Sequence, residues 1–232
     1  MPKTIVIVGF GPAISTALAE KFGAEGFSVA LIARNADRLV EGAQALKAKG
    51  ITAAGFPADA SDPDAIAAAI EKAREALGPI SVLHWNATAG LQPKDLLVTP
   101  PAEAPRFFDV AIVGLLAAVQ AALPDLKAAG DGAVLVTNGG LGEINPRIDG
   151  VAVDLQVMGP ALASTAKHKL VGLLSQRLKG EGVYVGEVMV AGAVKGTPFA
   201  RGGPGIESAA IADKFWALHQ ARDEIRARIT IE

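Results

Sequence analysis

The segment from residue 4 to residue 20 constrains the fold more than any other part of this 232-residue chain. Ile5 to Val8 is an unbroken β-branched run, which is typical of a parallel strand that is buried on both faces. The run ends at the turn Gly9-Phe10-Gly11-Pro12, and a helix with small residues on its sheet-facing side is predicted to start near Ala13. A strand that leads through such a turn into a helix leaves amide groups unpaired at the positive end of the helix dipole, where they can bind phosphate.

The glycine pattern in this turn matches only part of the dinucleotide-binding fingerprint. Gly9 and Gly11 are present, but Ala13 and Ser15 stand where a further glycine would allow close packing. The segment is therefore compatible with two interpretations, a phosphate-binding turn and an ordinary connection between a strand and a helix.

Apolar strands and helices alternate along the chain with short connections, which predicts one domain over residues 1–232. We expect a doubly wound, Rossmann-like α/β fold with a parallel seven-stranded sheet and helices on both faces. Residues 141–158 have no clear period and are predicted to form a loop, whereas residues 104–127 are predicted to form one long apolar helix. The predicted strands cover residues 5–8, 27–33, 51–57, 80–86, 132–137, 183–190 and 228–231.

Composition excludes several classes of function. A formal net charge of −2 provides no basic surface for nucleic acid or for an anionic membrane. The absence of cysteine excludes disulfides and thiol catalysis, and the three histidines show no metal-ligand spacing. We also expect neither a signal peptide nor an apolar stretch near twenty residues, so the sequence indicates a soluble, cytoplasmic protein without a bound metal.

Ligands of doubly wound sheets bind beyond the carboxyl ends of the strands, so polar residues that directly follow strands are candidate site residues. Arg34 follows the second strand and places a guanidinium where a ribose 2′-phosphate would lie, which favours NADP over NAD; the alternative is an exposed arginine at a helix start. Asp59 could accept the adenine amino group or only cap its turn. Asn86 and Ala87 would face the ribose, and Asn138 is either an amide donor near a substrate carbonyl or part of an Asn-Gly turn.

In this order and at this spacing, these features resemble the short-chain dehydrogenase/reductase family over essentially the full length of the chain. The Gly9 turn is similar to the glycine motif of that family, residues 33–35 resemble its NADP-type second strand, and residues 85–88 resemble its Asn-Asn-Ala-Gly element. Residues 191–198 resemble the segment whose Val and Thr contact the nicotinamide, and residues 164–173 resemble the catalytic helix. The cofactor-binding residues implied by the resemblance and by the strand ends are Gly9, Gly11, Pro12, Ala13, Ile14, Arg34, Asn35, Asp59, Ala60, Asn86, Ala87, Lys167, Val194 and Thr197.

Most of the catalytic residues that the resemblance implies are replaced in this chain. The family has a tyrosine four residues before the lysine that corresponds to Lys167, but here that position is Ala163. The single tyrosine, Tyr184, lies in the predicted sixth strand. The catalytic candidates are therefore Lys167 and Asn138, with Asn138 as the group that polarises the substrate. The other positions of the catalytic set correspond to Ala111 and to either Asn138 or Gly139.

Several groups are candidates to replace the tyrosine as general acid. Burial would lower the pKa of Lys167 and allow it to act as an acid. Asp154 and Glu143 lie in the segment without clear period and could fold over the site. His168 directly follows Lys167, so on a helix it points about 100° away, which directs it out of the site. An activated alkene or iminium substrate would need less help from an acid.

The sequence favours an NADP(H)-dependent oxidoreductase with an altered catalytic centre, acting on a small carbonyl, alcohol or related substrate. The alternatives are an NADP(H)-binding protein without turnover, such as a sensor or a structural subunit, and an α/β enzyme with another nucleotide-like ligand. In the resembled family the helices that correspond to residues 104–127 and 160–179 pair between subunits, which predicts a homodimer or homotetramer. Leu115, Leu116 and Val119 offer an apolar face for this association, unless they simply pack on the sheet.

Overall fold

A computed structural model describes residues 3–90, 95–197, 200 and 202–231. Seven parallel strands form one sheet in the order β3-β2-β1-β4-β5-β6-β7, which confirms the predicted doubly wound α/β fold. The strands are β1 (Lys3–Val8), β2 (Phe27–Ala33), β3 (Ala53–Pro57), β4 (Ile80–Trp85), β5 (Ala133–Gly139), β6 (Tyr184–Ala191) and β7 (Arg226–Thr230). The helices are α1 (Ile14–Ala24), α2 (Ala36–Ala48), α3 (Pro63–Leu77), α4 (Arg106–Phe108), α5 (Leu115–Ala128), α6 (Pro146–Asp154), α7 (Met158–Leu178) and α8 (Ser208–Ala221).

Helices cover both faces of the sheet because the central strands are apolar on both sides. Ile5 and Ile7 of β1 belong to a core formed with α1, α2 and α8. Val6 and Val8 alternate with them and belong to a second core formed with α3, α5 and α7. The unbroken apolar run at the N-terminus is therefore the central strand of a three-layer fold.

The order of the strands reverses between β1 and β4, since β1 pairs with β2 on one side and with β4 on the other. Ligands of open parallel sheets bind at this switch point. The two strand ends are tied together there: the Asn86 backbone N–H donates to the Val8 carbonyl at 2.8 Å, and Asn86 Nδ2 donates to the Gly9 carbonyl at 3.2 Å. The sequence thus brings the glycine turn and the end of β4 to one place.

Helix α3 begins as predicted, because Asp62 accepts two backbone N–H bonds at 3.0 Å and Pro63 occupies the first turn. The prediction of a loop over residues 141–158 is wrong, since α6 lies within that segment. The start of α6 repeats the signature of α3: Asn145 accepts a backbone N–H at 3.1 Å, and Pro146 follows it. The capping pair could have identified this helix from the sequence.

The long helix predicted over residues 104–127 lies within one helical stretch, Pro101–Ala128, but its geometry is not α-helical throughout. Helix α4 is only three residues long, and a π-helical segment, Asp109–Gly114, separates it from α5. Gly114 passes so close to the Ala60 carbonyl that a Cβ at this position would collide with it. A π-helical segment changes the direction of the side chains relative to a regular helix, and such segments are frequent at functional sites.

Residues Pro101–Ala128 form a helical stretch that is long and apolar enough, by length and composition alone, to cross a membrane. The expectation that no such stretch exists is therefore wrong. Core helices pass the same test, and the inner side of α5 is buried against the domain. Leu115 and Val119 are buried there, which agrees with the alternative that these residues pack on the sheet and do not form an association surface. Leu116 is partly exposed.

Candidate active site

A cleft of about 570 Å³ opens beyond the carboxyl ends of β1, β2, β3 and β4. Parallel strands end at the same edge of the sheet, so the residues that follow each strand meet in its wall. The predicted site residues in this wall are Gly9, Arg34, Asn35, Asp59, Ala60, Asn86 and Ala87.

The turn after β1 requires a glycine at its first position. Gly9 has a φ of 88°, and a Cβ here would collide with the backbone of Ala87. The N–H groups of Gly9 and Phe10 both donate to the Ile32 carbonyl, at 2.9 and 3.0 Å. The turn is therefore packed tightly between the ends of β2 and β4.

Ser15 compensates for the missing glycine of this turn. Its buried Oγ accepts the Gly11 N–H at 2.9 Å and donates to the Gly11 carbonyl at 2.9 Å. Ala13 adopts a φ of 73° directly before α1, and no side chain caps that helix. Because the Gly11 N–H is used within the turn, the donors left for an anion are the amides of the first turn of α1. Of the predicted site residues in this turn, those outside the lining of the cleft are Gly11, Pro12, Ala13 and Ile14.

Arg34 and Asp59 face each other at one end of the cleft. The Arg34 side chain is 79% exposed, and its Nη1 lies 4.0 Å from Asp59 Oδ2. Asp59 Oδ1 accepts the N–H and the hydroxyl of Ser61 at 2.9 and 2.8 Å. These bonds, more than the nearby Arg34, hold the pKa of Asp59 below its ordinary value. Asp59 thus caps its turn and keeps one carboxylate oxygen directed at Arg34.

A second arginine adds positive charge to the same end. Arg38 lines the cleft one helical turn after Arg34, and its guanidinium approaches Gly11. Asn35 caps α2 by accepting the Arg38 backbone N–H at 2.8 Å. The start of α2 therefore directs two guanidinium groups toward the cleft, an arrangement that suits an anionic group.

A second cavity of about 330 Å³ adjoins the cleft. The two share a wall formed by Ala87, Thr88, Ala89 and Arg106. The opposite side of the second cavity is one face of α7, because its lining residues recur at helical spacing. The lining residues from α7 are Gly159, Pro160, Ala163, Ser164 and Lys167.

Lys167 is the main ionisable group in the second cavity. It is 7% exposed, and its Nζ makes no hydrogen bond with any residue that the structure describes. Burial lowers the pKa of Lys167 to about 8, although the Glu187 carboxylate partly opposes this shift. The side chain can therefore exchange a proton near neutral pH, which a general acid or base requires.

A buried carboxylate lies behind Lys167. Glu187 of β6 is 1% exposed, and its Oε1 accepts Asn138 Nδ2 at 2.7 Å. Its Oε2 lies 2.7 Å from His168 Nδ1 and 3.3 Å from Arg226 Nε. Three partners thus satisfy the carboxylate, as burial of a charge requires. His168 points into this network and not into the cavity, as expected from the helical spacing.

Asn138 does not reach either cavity. We expected its amide near a substrate carbonyl, but the side chain is buried, and its Nδ2 donates to the Ser164 carbonyl at 2.9 Å as well as to Glu187. Its Oδ1 accepts the Gly139 N–H at 3.0 Å. All of its polar atoms are thereby used, and Asn138 connects β5, β6 and α7.

Other residues predicted from the sequence also lie outside the two cavities. Val194 is buried and forms a bridge with Ile206, and Thr197 Oγ1 donates to the Val194 carbonyl at 2.6 Å. Glu143 Oε1 accepts Arg228 Nε at 2.8 Å, and Asp154 lies at the end of α6. Pro198, the last residue of the segment that resembles the nicotinamide contact, lies outside the described residues.

Three residues in the lining of the second cavity have no role predicted from the sequence. Arg106 and Phe107 come from α4, and Ser164 lies on α7 beside Ala163. The change from α-helix to π-helix directly after Arg106 and Phe107 has no periodicity signal in the sequence. Ser164 could have been found, because residues three apart on a helix share a face with Lys167.

Comparisons with known proteins agree with this architecture. The family model described as short chain dehydrogenase matches residues 3–151. The 3-dehydrosphinganine reductase TSC10B of Arabidopsis thaliana is 34% identical over 127 residues, which make up 54% of this chain and 37% of that reductase. The chain thus aligns with little more than a third of the length of this relative.

Solved structures show the same fold over nearly the whole chain. The L-sorbose reductase of Gluconobacter frateurii, complexed with NADPH and L-sorbose, has a TM-score of 0.85 at 18% identity and covers 99% of this chain and 95% of its own. A metagenomic short-chain oxidoreductase in complex with NADP has a TM-score of 0.79 at 24% identity, with coverages of 99% and 97%. Together with the family match over residues 3–151, the sheet order and the glycine turn show that the chain belongs to the short chain dehydrogenase family.

Proposed function

We propose that this chain is an NADP(H)-dependent oxidoreductase that transfers hydride to or from a small carbonyl, alcohol or related substrate. The observation that carries the proposal is that the two cavities adjoin each other. The cleft with Arg34 and Arg38 shares a wall with the cavity that contains Lys167, so an elongated ligand can have its anionic end in one and its reactive end in the other.

The residues of the cleft, the adjoining start of α1 and the second cavity together fit a dinucleotide. The first turn of α1 offers amide donors at the positive end of its dipole, which suits a pyrophosphate. Asp59 would contact the adenine, and Asn86 and Lys167 the riboses. The cofactor would supply the hydride when bound, and the chain would hold and orient it. Contact of Val194 and Thr197 with the nicotinamide stays a prediction.

The charge at the β2 end of the cleft supports NADP over NAD. Arg34 and Arg38 present two cations there, and one oxygen of the nearby Asp59 carboxylate is bonded to Ser61. A ribose 2′-phosphate would gain charge-assisted hydrogen bonds from the guanidinium groups, whereas the free 2′-hydroxyl of NAD would bring no anionic group to them. Two structurally similar proteins are complexed with NADP or NADPH, which agrees with this assignment.

We further propose that the catalytic centre works without a tyrosine. Ala163 lines the second cavity four residues before Lys167, where the family carries that tyrosine. Tyr184 is the first residue of β6 and therefore lies at the amino ends of the strands, away from the cleft. Its hydroxyl donates to the Glu224 carbonyl at 2.7 Å. Another group must therefore exchange the proton that accompanies hydride transfer.

A titration with NADPH and NADH, followed by nicotinamide fluorescence, tests the cofactor assignment. We expect saturable NADPH binding that is at least about tenfold tighter than NADH binding, and Arg34→Ala should remove most of this difference. Arg177→Ala is the matched control, because its side chain is 72% exposed and pairs with Glu181 at the far end of α7. Equal affinity of the wild type for both dinucleotides would contradict the NADP assignment, and no binding of either would contradict the function.

A binding protein without turnover is the second candidate. Two observations favour it: alanine occupies the tyrosine position, and the Asn138 amide is used inside the fold. NADPH binding without oxidation of NADPH by any carbonyl compound would select this alternative.

A further inference from the structure

We propose that Ser164 and Lys167 form a proton relay at the wall of the second cavity, in which the Ser164 hydroxyl exchanges a proton with the substrate oxygen and Lys167 restores it. This inference rests on the proposed function, because it names the proton donor of that same site.

The position of Ser164 supports this role. Ser164 and Lys167 both line the cavity of about 330 Å³, and they lie three residues apart on α7. Residues at this spacing have Cβ atoms about 5–6 Å apart, which the four-carbon chain of a lysine can bridge. The neighbouring Ala163 also lines the cavity and carries only a methyl group, so no large side chain at that position fills the space beside Ser164.

The backbone around Ser164 is fixed by the buried network behind α7. Asn138 Nδ2 donates to the Ser164 carbonyl at 2.9 Å and to Glu187 Oε1 at 2.7 Å. Glu187 acts on the charge of Lys167. Asn138 thus holds the backbone of the turn that carries Ser164 and also binds the carboxylate whose charge acts on Lys167, so Asn138 is a positioning residue of this relay.

The surroundings of Lys167 keep its proton mobile. Burial lowers the pKa of Lys167 to about 8, and the Glu187 carboxylate from β6 opposes this shift. His84 on β4 has a pKa of about 3 and is neutral near pH 7. The charged groups that line the cavity opposite α7 are Glu103 and Arg106, and Asp109 lines the adjoining cleft.

Proton and electron pairs balance in this relay. In the reducing direction the carbonyl carbon of the substrate accepts hydride from the reduced cofactor, and the carbonyl oxygen takes the Ser164 proton. The Ser164 alkoxide then takes a proton from the Lys167 ammonium, and the Lys167 amine takes up one proton from the bulk solvent, which replaces the proton delivered to the substrate oxygen. Oxidation of an alcohol reverses each transfer.

The first test needs no cofactor. Phenylmethylsulfonyl fluoride reacts with a serine whose proton a neighbouring base accepts: the serine oxygen bonds to sulfur, fluoride leaves, and the proton passes to the base. We expect labelling at Ser164, measured by peptide mass spectrometry. With a pKa of about 8, roughly a tenth of Lys167 is neutral at pH 7 and nine-tenths at pH 9, so the rate should rise about ninefold.

Two variants make this labelling test specific. Lys167→Met should abolish the rise with pH, and so should Lys167→Arg, which stays charged over this range. Thr165 is the internal control, because its hydroxyl is adjacent in sequence but donates to the Gly142 carbonyl at 3.4 Å and does not line the cavity. Labelling of Ser164 that is no faster than that of Thr165, or that does not depend on Lys167, would overturn the relay.

The second test measures proton donation during a single turnover of 9,10-phenanthrenequinone by protein preloaded with NADPH. Ser164→Ala should slow NADPH oxidation by about 100-fold or more, the usual contribution of a general acid, whereas Ser164→Thr should retain most of the rate. Thr165→Val should change it by less than about twofold. An equal rate in Ser164→Ala and the wild type would show that water or another group donates the proton and would overturn the assignment.

NADPH binding, compared with the labelling and the single turnover, separates this inference from the proposed function. Failure of all variants and of the wild type to bind NADPH would contradict the function, while a labelling result that depends on Lys167 would still support the relay between the two side chains. Normal NADPH binding without any hydride transfer in the wild type would contradict the role of Ser164 in catalysis and leave cofactor binding intact.

Discussion

Ala13 shows how the turn after β1 tolerates the loss of a glycine. Its φ of 73° and ψ of −113° lie in a region that side chains with a Cβ rarely adopt. The turn holds this conformation because Ser15 and Thr16 both bond to Gly11, each at 2.9 Å. Hydroxyl groups on α1 thus stabilise a backbone path that a third glycine would adopt without strain.

Ala13→Gly should therefore stabilise the protein by about 1 kcal/mol, because it relieves the positive φ. Urea unfolding gives the measurement. Ala17→Gly, in the interior of α1, is the matched control and should destabilise the protein by about 1 kcal/mol. A loss of stability in Ala13→Gly similar to that in Ala17→Gly would contradict the strain at residue 13.

Glu187 affects the proton affinity of Lys167 through its charge and not through a hydrogen bond. Its carboxylate raises the pKa of Lys167 against the effect of burial. Glu187→Gln removes this charge, so the pKa of Lys167 should fall below about 8. NMR of protein with ¹³Cε-labelled lysine measures this directly.

Glu181→Gln is the control for that titration, because Glu181 pairs with Lys127 and Arg177 at the end of α7 and should leave the pKa of Lys167 unchanged. An unchanged value in Glu187→Gln as well would show that the two groups are not coupled. Glu187→Gln should also cost about 1–3 kcal/mol of stability, since His168 and Arg226 lose a charged partner.

At the scale of elements, strand β4 carries a histidine inside the sheet. His84 Nε2 lies 2.9 Å from Thr137 Oγ1, and its Nδ1 has no hydrogen-bond partner among the described residues. Burial, assisted by Lys167, lowers the pKa of His84 to about 3. The unfolded chain binds a proton at this residue below about pH 6.5, but the folded chain does so only near pH 3.

The free energy of unfolding should therefore decrease as the pH falls from 6.5 toward 3, by up to about 1.4 kcal/mol per pH unit from this residue. Between pH 7 and pH 5 the loss from His84 is about 2 kcal/mol. His84→Gln should remove that part of the loss in urea unfolding at the two pH values. His219, with a pKa lowered to about 4, should leave a residual loss of the same sign. An identical pH dependence in wild type and variant would contradict the neutral, buried His84.

The strands and the cleft beyond their carboxyl ends could be predicted, because local sequence signals and the fold agree in these parts of the chain. The β-branched run of β1, the glycine turn and the Asp62-Pro63 cap each act within a few residues of the chain. The second cavity could not be predicted in the same way, because it depends on contacts between distant segments. Arg106 lines it from the turn before the π-helical segment Asp109–Gly114, and the Asn138 amide is bonded instead to a buried carboxylate 49 residues later.

At the scale of the whole molecule, we propose that the chain forms a homodimer or homotetramer through the outer faces of α5 and α7. Val113, just before α5, and Leu173 on α7 are exposed apolar side chains on this side of the domain. Light scattering coupled to size exclusion should give at least twice the chain mass of 23.6 kDa.

Leu173→Glu should reduce this mass by placing a charge in the interface. Val40→Glu on α2 is the control, because Val40 and Leu173 are each 56% exposed and α2 lies on the other face of the sheet. A wild-type mass of one chain, or equal effects of the two substitutions, would contradict association through this face.

Hydrogen exchange with mass spectrometry, on wild-type protein with and without NADPH, tests the proposed cofactor site most directly, since it requires no substrate. NADPH should slow exchange in the backbone segments that surround the cleft, and NADH at the same concentration should do so less. The segments expected to be protected are residues 9–17, 33–38 and 86–90. Unchanged exchange in all three segments at saturating NADPH, or protection confined to other parts of the chain, would contradict the proposal that this cleft binds a dinucleotide.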